Sequence, residues 1–147
     1  MRLPACALIA ALLAAPAVPA LEVHTAAVVV DLHCDALQDL HAGRRTFGRR
    51  SSRGHVDLPR LRQGGVDVQV FAAFVAERAG GPARARALLD TFHAAMRANA
   101  AQITQVTTLA EIERAQRDGK IAAVLSIENG DALGGDLRVL DDLYRRG

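Results

Sequence analysis

Three short apolar runs, rich in β-branched residues, constrain the fold of this chain more than any other feature of the sequence. They are residues 26–31 (Ala-Ala-Val-Val-Val-Asp), 66–75 (Val-Asp-Val-Gln-Val-Phe-Ala-Ala-Phe-Val) and 121–127 (Ile-Ala-Ala-Val-Leu-Ser-Ile). None of them alternates cleanly as a strand with one wet face does, so each is predicted to be a β-strand covered on both faces. Asp118-Gly119 before the third run and Asn129-Gly130 after it are typical of turns.

Helical patterns fill the interval between the second and third runs. Gly80-Gly81 precedes Pro82, a residue suited to the first turn of a helix. A long amphipathic helix is predicted from apolar residues that recur every three or four positions: Leu89, Phe92, Met96, Ala100 and Ile103. Thr108 and Glu111 then have the spacing of a capping box, and the short helix that they begin is predicted to stop at Gly119.

A last helix is predicted after Asp136, which can cap it, with Leu137, Leu140 and Tyr144 on one face. Strands and helices in alternation, with the strands covered on both faces, predict an α/β fold with a parallel sheet and right-handed crossovers. Three strands can neither close a barrel nor bury both faces of an open sheet well. The chain is therefore expected to be an incomplete part of a larger α/β domain.

The first twenty residues have the composition of a secretory signal peptide. Arg2 supplies a positive charge, an apolar segment extends to Ala15, and Val18-Pro19-Ala20 offers short side chains to a signal peptidase. Cleavage leaves residues 21–147, with a formal charge of +1, as an exported periplasmic or secreted protein. An uncleaved membrane anchor is the alternative, but the segment is mostly alanine with prolines near its end, so stable membrane insertion after cleavage is not expected.

Residues 41–57 interrupt the apolar pattern with a loop that is predicted to be solvated. Five arginines lie in it among glycines and serines: Arg44, Arg45, Arg49, Arg50 and Arg53. A nucleic-acid interface is not expected, because the chain has no Trp, one Tyr and four Phe to stack on bases. No disulfide is expected either, because Cys6 leaves with the signal peptide and Cys34 then has no partner.

Potential metal ligands follow two of the predicted strands. His33 and Asp35 end the first strand, and side chains two apart on an extended segment point the same way, so both can reach one cation while Cys34 faces the opposite side. Glu128 follows the third strand and reaches the same sheet edge, where parallel α/β folds bind ligands. By spacing alone, a His-x-Asp near a strand end is most often a hydrogen-bonded pair or a turn cap, and Glu128 adds to the evidence for a metal. Cys34 is expected to be a small buried hydrophobe, with zinc ligation as the alternative.

Four short segments then occur in order within residues 28–147: 31–35 (Asp-Leu-His-Cys-Asp), 54–66 (Gly-His-Val-Asp-Leu-Pro-Arg-Leu-Arg-Gln-Gly-Gly-Val), 69–71 (Gln-Val-Phe) and 126–130 (Ser-Ile-Glu-Asn-Gly). Together they resemble the membrane dipeptidase (renal dipeptidase) family of zinc metallopeptidases. The middle block and Ile-Glu-Asn-Gly are fairly specific. Leu32 departs from the glycine, and Cys34 from the asparagine or small apolar residue, that the family more often has there. His55, in the middle block, is expected to be structural rather than catalytic, because it precedes a strand.

The resemblance implies that the chain is the N-terminal part of a (β/α)8 barrel, here incomplete, that hydrolyses dipeptides with two zinc ions. It implies that His33 and Asp35 hold one zinc ion and that Glu128 bridges both, while two later histidines hold the second. The other histidines of this chain are His24, His41, His55 and His93, and none follows Glu128. The chain is accordingly expected to be an inactive truncated dipeptidase, which would act on a dipeptide and could form a homodimer if it were complete.

Two other hypotheses remain open at this point. One is a non-catalytic remnant of a dipeptidase that binds one metal ion weakly or none. The other is a different metal-dependent barrel hydrolase, such as a deacetylase or a phosphoesterase, against which residues 54–66 argue.

Overall fold

A computed structural model of the chain describes residues 20–76 and 80–147. The predicted signal peptide therefore lies, except for Ala20, outside the described residues. The helices are α1 (Ala20–Ala26), α2 (Ala36–His41), α3 (Leu58–Gln63), α4 (Gly81–Ala98), α5 (Leu109–Arg117) and α6 (Arg138–Arg145), with a 3-10 helix at Gly130–Leu133. The strands are β1 (Val30–Cys34), β2 (Val68–Phe74), β3 (Ile103–Gln105) and β4 (Ile121–Glu128).

The strands form one parallel sheet in the order β1-β2-β4-β3, which confirms the predicted α/β class. β2 and β4 pair in continuous register, from Val68 opposite Ala122 to Phe74 opposite Glu128. The carboxyl ends of the strands consequently meet at one edge of the sheet, where side chains from separate strands can come together.

The two faces of the sheet carry different side chains, because successive residues of a strand point to opposite sides. Phe71, Ala73 and Ala123 pack in the main core with the helices α2, α3 and α4, and this side is called the α4 face. Val68 and Ala122 pack with Ala115 of α5 in a smaller cluster, on the side called the α5 face. Glu128 is an even number of residues from Ala122 along β4, so it lies on the α5 face.

Aromatic rings fill the centre of the core on the α4 face. The rings of Phe47 and Phe92 both meet Phe71 edge to face, each with its centroid 5.5 Å from that of Phe71. All three side chains are buried. This corrects the prediction of a wholly solvated loop at residues 41–57, because Phe47 comes from that loop, and the side chain of Arg45 is only 4% exposed, with Asp39 beside it. A single buried side chain in a loop has no periodic pattern, so its burial could not be predicted from the sequence.

The strand β3 and the end of α4 differ from the prediction. Ile103 was expected on the long helix, yet α4 ends at Ala98 and Ile103 is a buried residue of β3. The backbone N–H of Asn99 bonds to Met96 at the end of α4, and those of Gln102 and Ile103 bond back to Asn99. Ile103 kept the helical spacing of apolar residues, although it lies in a strand, because it packs in the same core as the buried residues of α4.

The two outer parts of the chain are less covered than predicted. β1 was expected to be buried on both faces, but it is an edge strand, with Val30 and Leu32 47% and 75% exposed. Leu140 and Tyr144 of α6, and Leu137 just before it, were predicted to share one face of the helix. All three are exposed, and Leu143 of α6 is buried instead. The apolar patterns of β1 and α6 predicted that these side chains would be buried. Among residues 20–76 and 80–147, no helix or strand covers them.

The predicted cap of α6 is wrong, because Leu137, not Asp136, precedes the first residue of the helix and makes no side-chain capping hydrogen bond. The predicted capping box of α5 is confirmed. Thr108 and Glu111 form both hydrogen bonds of a capping box at the start of α5, and the left-handed Gly119 follows that helix. Asp57 caps α3, which leads into β2. Among the helices of residues 20–76 and 80–147, none is both long enough and apolar enough to cross a bilayer.

Candidate metal site

Three of the predicted site residues converge at the carboxyl edge of the sheet. The Nε2 atom of His33 lies 3.5 Å from Oδ2 of Asp35 and 3.4 Å from Oε2 of Glu128. One potential ligand atom from each residue lies within 4.8 Å of those of the other two. Spacing in the sequence had predicted that these residues meet; their role as metal ligands remains a prediction.

The strand order explains why residues so distant in the chain meet here. β1 and β4 flank β2 on opposite sides, so His33 of β1 and Glu128 of β4 approach each other across the end of β2. Phe74, the last residue of β2, lies directly opposite Glu128 in the ladder. The site therefore depends on three strands at once, and none of its pairs is local except His33 with Asp35.

Asp35 reaches the site by a different route from the one expected. It is not extended: its φ and ψ are −89° and 22°, and it occupies the position before the first residue of α2. A carboxylate there often caps the helix, but the side chain of Asp35 makes no capping hydrogen bond. Its oxygens are consequently left to face His33.

The turn after Glu128 is unusual in its backbone. Asn129 has a φ of 76°, and it is the one residue other than glycine with a positive φ among residues 20–76 and 80–147. Its side chain accepts a hydrogen bond of 3.2 Å from the backbone N–H of Asp131, the second residue of the 3-10 helix. Such conformations cluster at functional sites. Asn129-Gly130 was recognised from the sequence as a turn, but not as a support for Glu128.

The donor set fits a divalent cation. An imidazole nitrogen and two carboxylates are ligands that zinc accepts, and three protein ligands leave a coordination position open, as in catalytic zinc sites. The side chains of His33, Asp35 and Glu128 are 52%, 56% and 44% exposed, so an ion and a small substrate can reach them. Two carboxylates close together repel each other, and a bound cation would relieve that repulsion.

Cys34 lies away from this group. Its side chain is 6% exposed and packs in the core on the α4 face. Burial, with the nearby charges of Asp31 and Asp35, raises the pKa of its thiol to about 12. Since metal ligation needs the thiolate, these observations favour the expected role of Cys34 as a small buried hydrophobe.

The other histidines also lie elsewhere. The Nε2 atom of His24 is 2.9 Å from the carbonyl oxygen of Gly64, and Nδ1 of His41 is 3.0 Å from the hydroxyl of Thr91. The ring of His93 lies against Phe92 on α4, and His55 is exposed before α3. Within residues 20–76 and 80–147, the group of His33, Asp35 and Glu128 is the one cluster with metal-binding geometry.

Comparisons with known proteins agree with this picture. The family model of membrane dipeptidase (peptidase family M19) matches residues 19–147. Among solved structures, the dipeptidase AC, a metallopeptidase of that family, is 26% identical with a TM-score of 0.74, over 82% of this chain and 40% of that one.

Two further structures show the same fold. A metallopeptidase from Rhodobacter sphaeroides, liganded with a phosphinate mimic of the dipeptide L-Ala-D-Ala, is 24% identical with a TM-score of 0.73, over 82% of this chain and 43% of that one. The probable dipeptidase PvdM from Pseudomonas aeruginosa is 20% identical with a TM-score of 0.76, over 86% of this chain and 34% of that one. The chain thus spans less than half the length of these structures.

These likenesses confirm the expected fold, an incomplete (β/α)8 barrel represented by its N-terminal part. They also agree with the resemblance read from residues 31–35, 54–66, 69–71 and 126–130. The family model covers all of the described residues, including His33, Asp35 and Glu128. The chain belongs to the membrane dipeptidase family of metallopeptidases.

Proposed function

We propose that this chain supplies part of the metal-binding set of a zinc dipeptidase. In this proposal His33 and Asp35 hold one zinc ion, and Glu128, with its two carboxylate oxygens, bridges to a second. The observation that carries the proposal is the convergence of the three side chains within 4.8 Å at the carboxyl edge of a parallel sheet. Membership of the membrane dipeptidase family supports the same chemistry.

The chain's own residues would contribute charge and geometry to this reaction. Zinc held by these residues would supply Lewis-acid chemistry, the activation of water and the polarisation of a peptide carbonyl. Asp35 and Glu128 provide the negative charge that attracts such ions, and His33 stands between them with its Nε2 atom facing both carboxylates. Because all three are close to half exposed, the site admits a substrate without opening the core.

The substrate that we propose is a dipeptide with a D-residue at its carboxyl end. The Rhodobacter sphaeroides structure holds a phosphinate mimic of L-Ala-D-Ala, which makes that dipeptide the natural test compound. Export, inferred from the first twenty residues, would place the enzyme in the periplasm or outside the cell.

The 147-residue chain by itself is expected to bind zinc without turning over a dipeptide. Its other histidines are engaged elsewhere or lie apart from the cluster, so among residues 20–76 and 80–147 the second zinc ion of the proposed pair has one ligand, Glu128. Loss of part of a ligand set weakens a metal site severely.

Zinc affinity and hydrolysis of L-Ala-D-Ala, measured on the same purified chain, test the proposal. We expect the wild type to bind zinc in competition with a chromophoric chelator, and His33→Ala, Asp35→Ala and Glu128→Ala to lose that binding. Asp118→Ala is the matched control, since Asp118 is an exposed carboxylate at the end of α5. Equal zinc affinity in wild type and His33→Ala would contradict the metal site. Release of D-Ala by the wild type, abolished in Glu128→Ala, would contradict only the expected inactivity.

A further inference from the structure

The strand β1 changes the direction of its side chains shortly before the metal-binding cluster. Asp31 lies opposite Gln69 of β2, whereas Cys34 lies opposite Phe71, so three steps along β1 match two along β2. This is a β-bulge, a one-residue insertion that breaks the alternation of a strand and can re-aim a side chain.

The bulge decides on which face His33 lies. Neighbouring residues of a sheet share a face, so Asp31 beside Gln69, and Cys34 beside Phe71, both lie on the α4 face. In an unbroken strand His33 would share the face of Asp31, and Cys34 would point to the opposite face, because a shift of one residue reverses every side chain. With the bulge, Cys34 enters the core on the α4 face and His33 meets Glu128 on the α5 face.

The carboxylate of Asp31 makes a hydrogen bond within this bulge. Its Oδ1 atom accepts the backbone N–H of His33 at 3.1 Å. The pairing with β2 is irregular between Asp31 and Cys34, so the side chain provides His33 with an acceptor in the interrupted part of the ladder. In the neighbouring strand β2, the amide of the buried Gln69 donates to the carbonyl oxygen of Asp31 at 3.5 Å and to that of Val70 at 3.0 Å.

We propose that Asp31 is a positioning residue of the metal site, whose carboxylate stabilises the β-bulge that turns His33 towards Asp35 and Glu128. The inference deepens the proposed zinc site and rests on it for its functional meaning. The bulge can nevertheless be tested without metal, through Cys34. When the bulge is lost and alternation returns, Cys34 leaves the core for the α5 face and His33 leaves the cluster.

Two substitutions separate the hydrogen bond of Asp31 from its charge. Asp31→Asn keeps an acceptor oxygen in place and removes the charge, whereas Asp31→Glu keeps the charge and displaces the carboxylate by one methylene group. Asp31→Ala removes both the acceptor and the charge. We expect the zinc affinity of Asp31→Glu and Asp31→Ala to fall by about tenfold or more, because loss of a group that hydrogen-bonds to a metal ligand typically has an effect of this size. Asp31→Asn should retain most of the affinity.

Asp67→Ala is the matched control. Asp67 also accepts a backbone N–H of the segment that leads into β1, that of Val29, with its Oδ2 atom at 2.8 Å, but it does so before the bulge. Its loss should lower stability without changing zinc affinity. Thermal unfolding of each variant shows whether the chain is folded, so that a change in zinc affinity can be assigned to the site.

Alkylation of Cys34, followed by peptide mass mapping in the absence of metal, reports on the bulge directly. We expect slow labelling in wild type, Asp31→Asn and Asp67→Ala, because Cys34 is 6% exposed, and faster labelling in folded Asp31→Ala and Asp31→Glu. The inference is overturned if those two variants keep wild-type labelling and zinc affinity, or if Asp31→Asn loses as much affinity as Asp31→Glu. A wild type that protects Cys34 but binds no zinc would contradict the proposed zinc site and leave the bulge intact.

Discussion

Two polar clusters of this chain use similar residues for opposite purposes. At the start of α3, the Asp57 side chain is fully buried and accepts hydrogen bonds from the backbone N–H groups of Ser51 and Arg60, each at 3.0 Å. The Arg60 guanidinium contacts the same carboxylate at 2.7 Å. At the carboxyl edge of the sheet, Asp35 and Glu128 are about half exposed and face a histidine at 3.4 to 3.5 Å.

The difference lies in what the carboxylate oxygens contact. Those of Asp57 are saturated by donors of the same chain, and Arg60 also bonds to the carbonyl oxygen of Gly54 at 2.8 Å, so the cluster ties the preceding loop to α3. Those of Asp35 and Glu128 approach one another around His33 and are open to solvent. A carboxylate whose oxygens all accept hydrogen bonds from the protein has a structural role. Carboxylates that lie close together without such donors indicate a binding site for a cation.

Removal of the buried carboxylate should have the largest effect on stability. Asp57→Ala takes away a helix cap and leaves Arg60, only 24% exposed, without its partner. We expect the free energy of unfolding in urea to fall by about 3 kcal/mol. The zinc affinity of the folded variant should be unchanged, and a large loss of affinity would show that the two clusters are coupled.

Removal of the exposed histidine should have the reverse effect. His33→Ala is expected to lower zinc affinity at least about 100-fold, equivalent to about 2.7 kcal/mol. The unfolding of the metal-free chain should change by less than about 0.5 kcal/mol, since this side chain is half exposed. Competition with a chelator and urea unfolding without metal measure the two effects, and marked destabilisation of the metal-free variant would contradict a purely functional role.

The pH dependence of stability should follow the buried cluster. Burial opposes the ionisation of Asp57, but hydrogen bonds from the Arg60 side chain and from backbone N–H groups outweigh it and lower its pKa to about 2 from 3.8. A folded-state pKa below the unfolded one stabilises the fold above pH 3.8, and this stabilisation is lost as the pH falls towards 2.

We expect this loss to amount to roughly 1 to 2 kcal/mol between pH 4 and pH 2. Urea unfolding at several pH values measures it. Asp57→Asn, which cannot titrate, is the control and should show a shallower decline over the same interval. Parallel curves for the two proteins would show that other carboxyl groups are responsible.

The smallest expected effect comes from an exposed cluster that is already satisfied. At the start of α5, Glu111 accepts the backbone N–H of Thr108 at 3.1 Å, and Thr108 accepts that of Glu111 at 3.3 Å. Thr108→Ala should cost about 1 kcal/mol of stability in urea unfolding and leave zinc affinity unchanged. A change in zinc affinity would contradict our interpretation of the two kinds of exposed carboxylate. In that interpretation, Asp35 and Glu128 bind metal because their oxygens lack hydrogen-bond donors among the described residues, whereas the oxygens of Glu111 have them.

Much of the fold follows from local sequence chemistry. β2 and β4 have apolar runs that only a doubly covered strand explains, and the caps at Asp57 and Thr108 form with residues three positions away. The convergence of His33, Asp35 and Glu128 was also predictable, because parallel strands present their carboxyl ends at one edge. Ile103 was assigned to the wrong element because apolar spacing does not reveal whether the chain has turned.

What the sequence by itself determined is therefore the class of fold, its central strands and the residue types available for a metal. Only the tertiary structure decided how those residues are aimed. The face on which His33 lies depends on a bulge between β1 and β2, and the burial of β1 and α6 depends on which elements lie against them. Register and coverage are relations between distant segments, whereas periodicity and capping are set by neighbours along the chain.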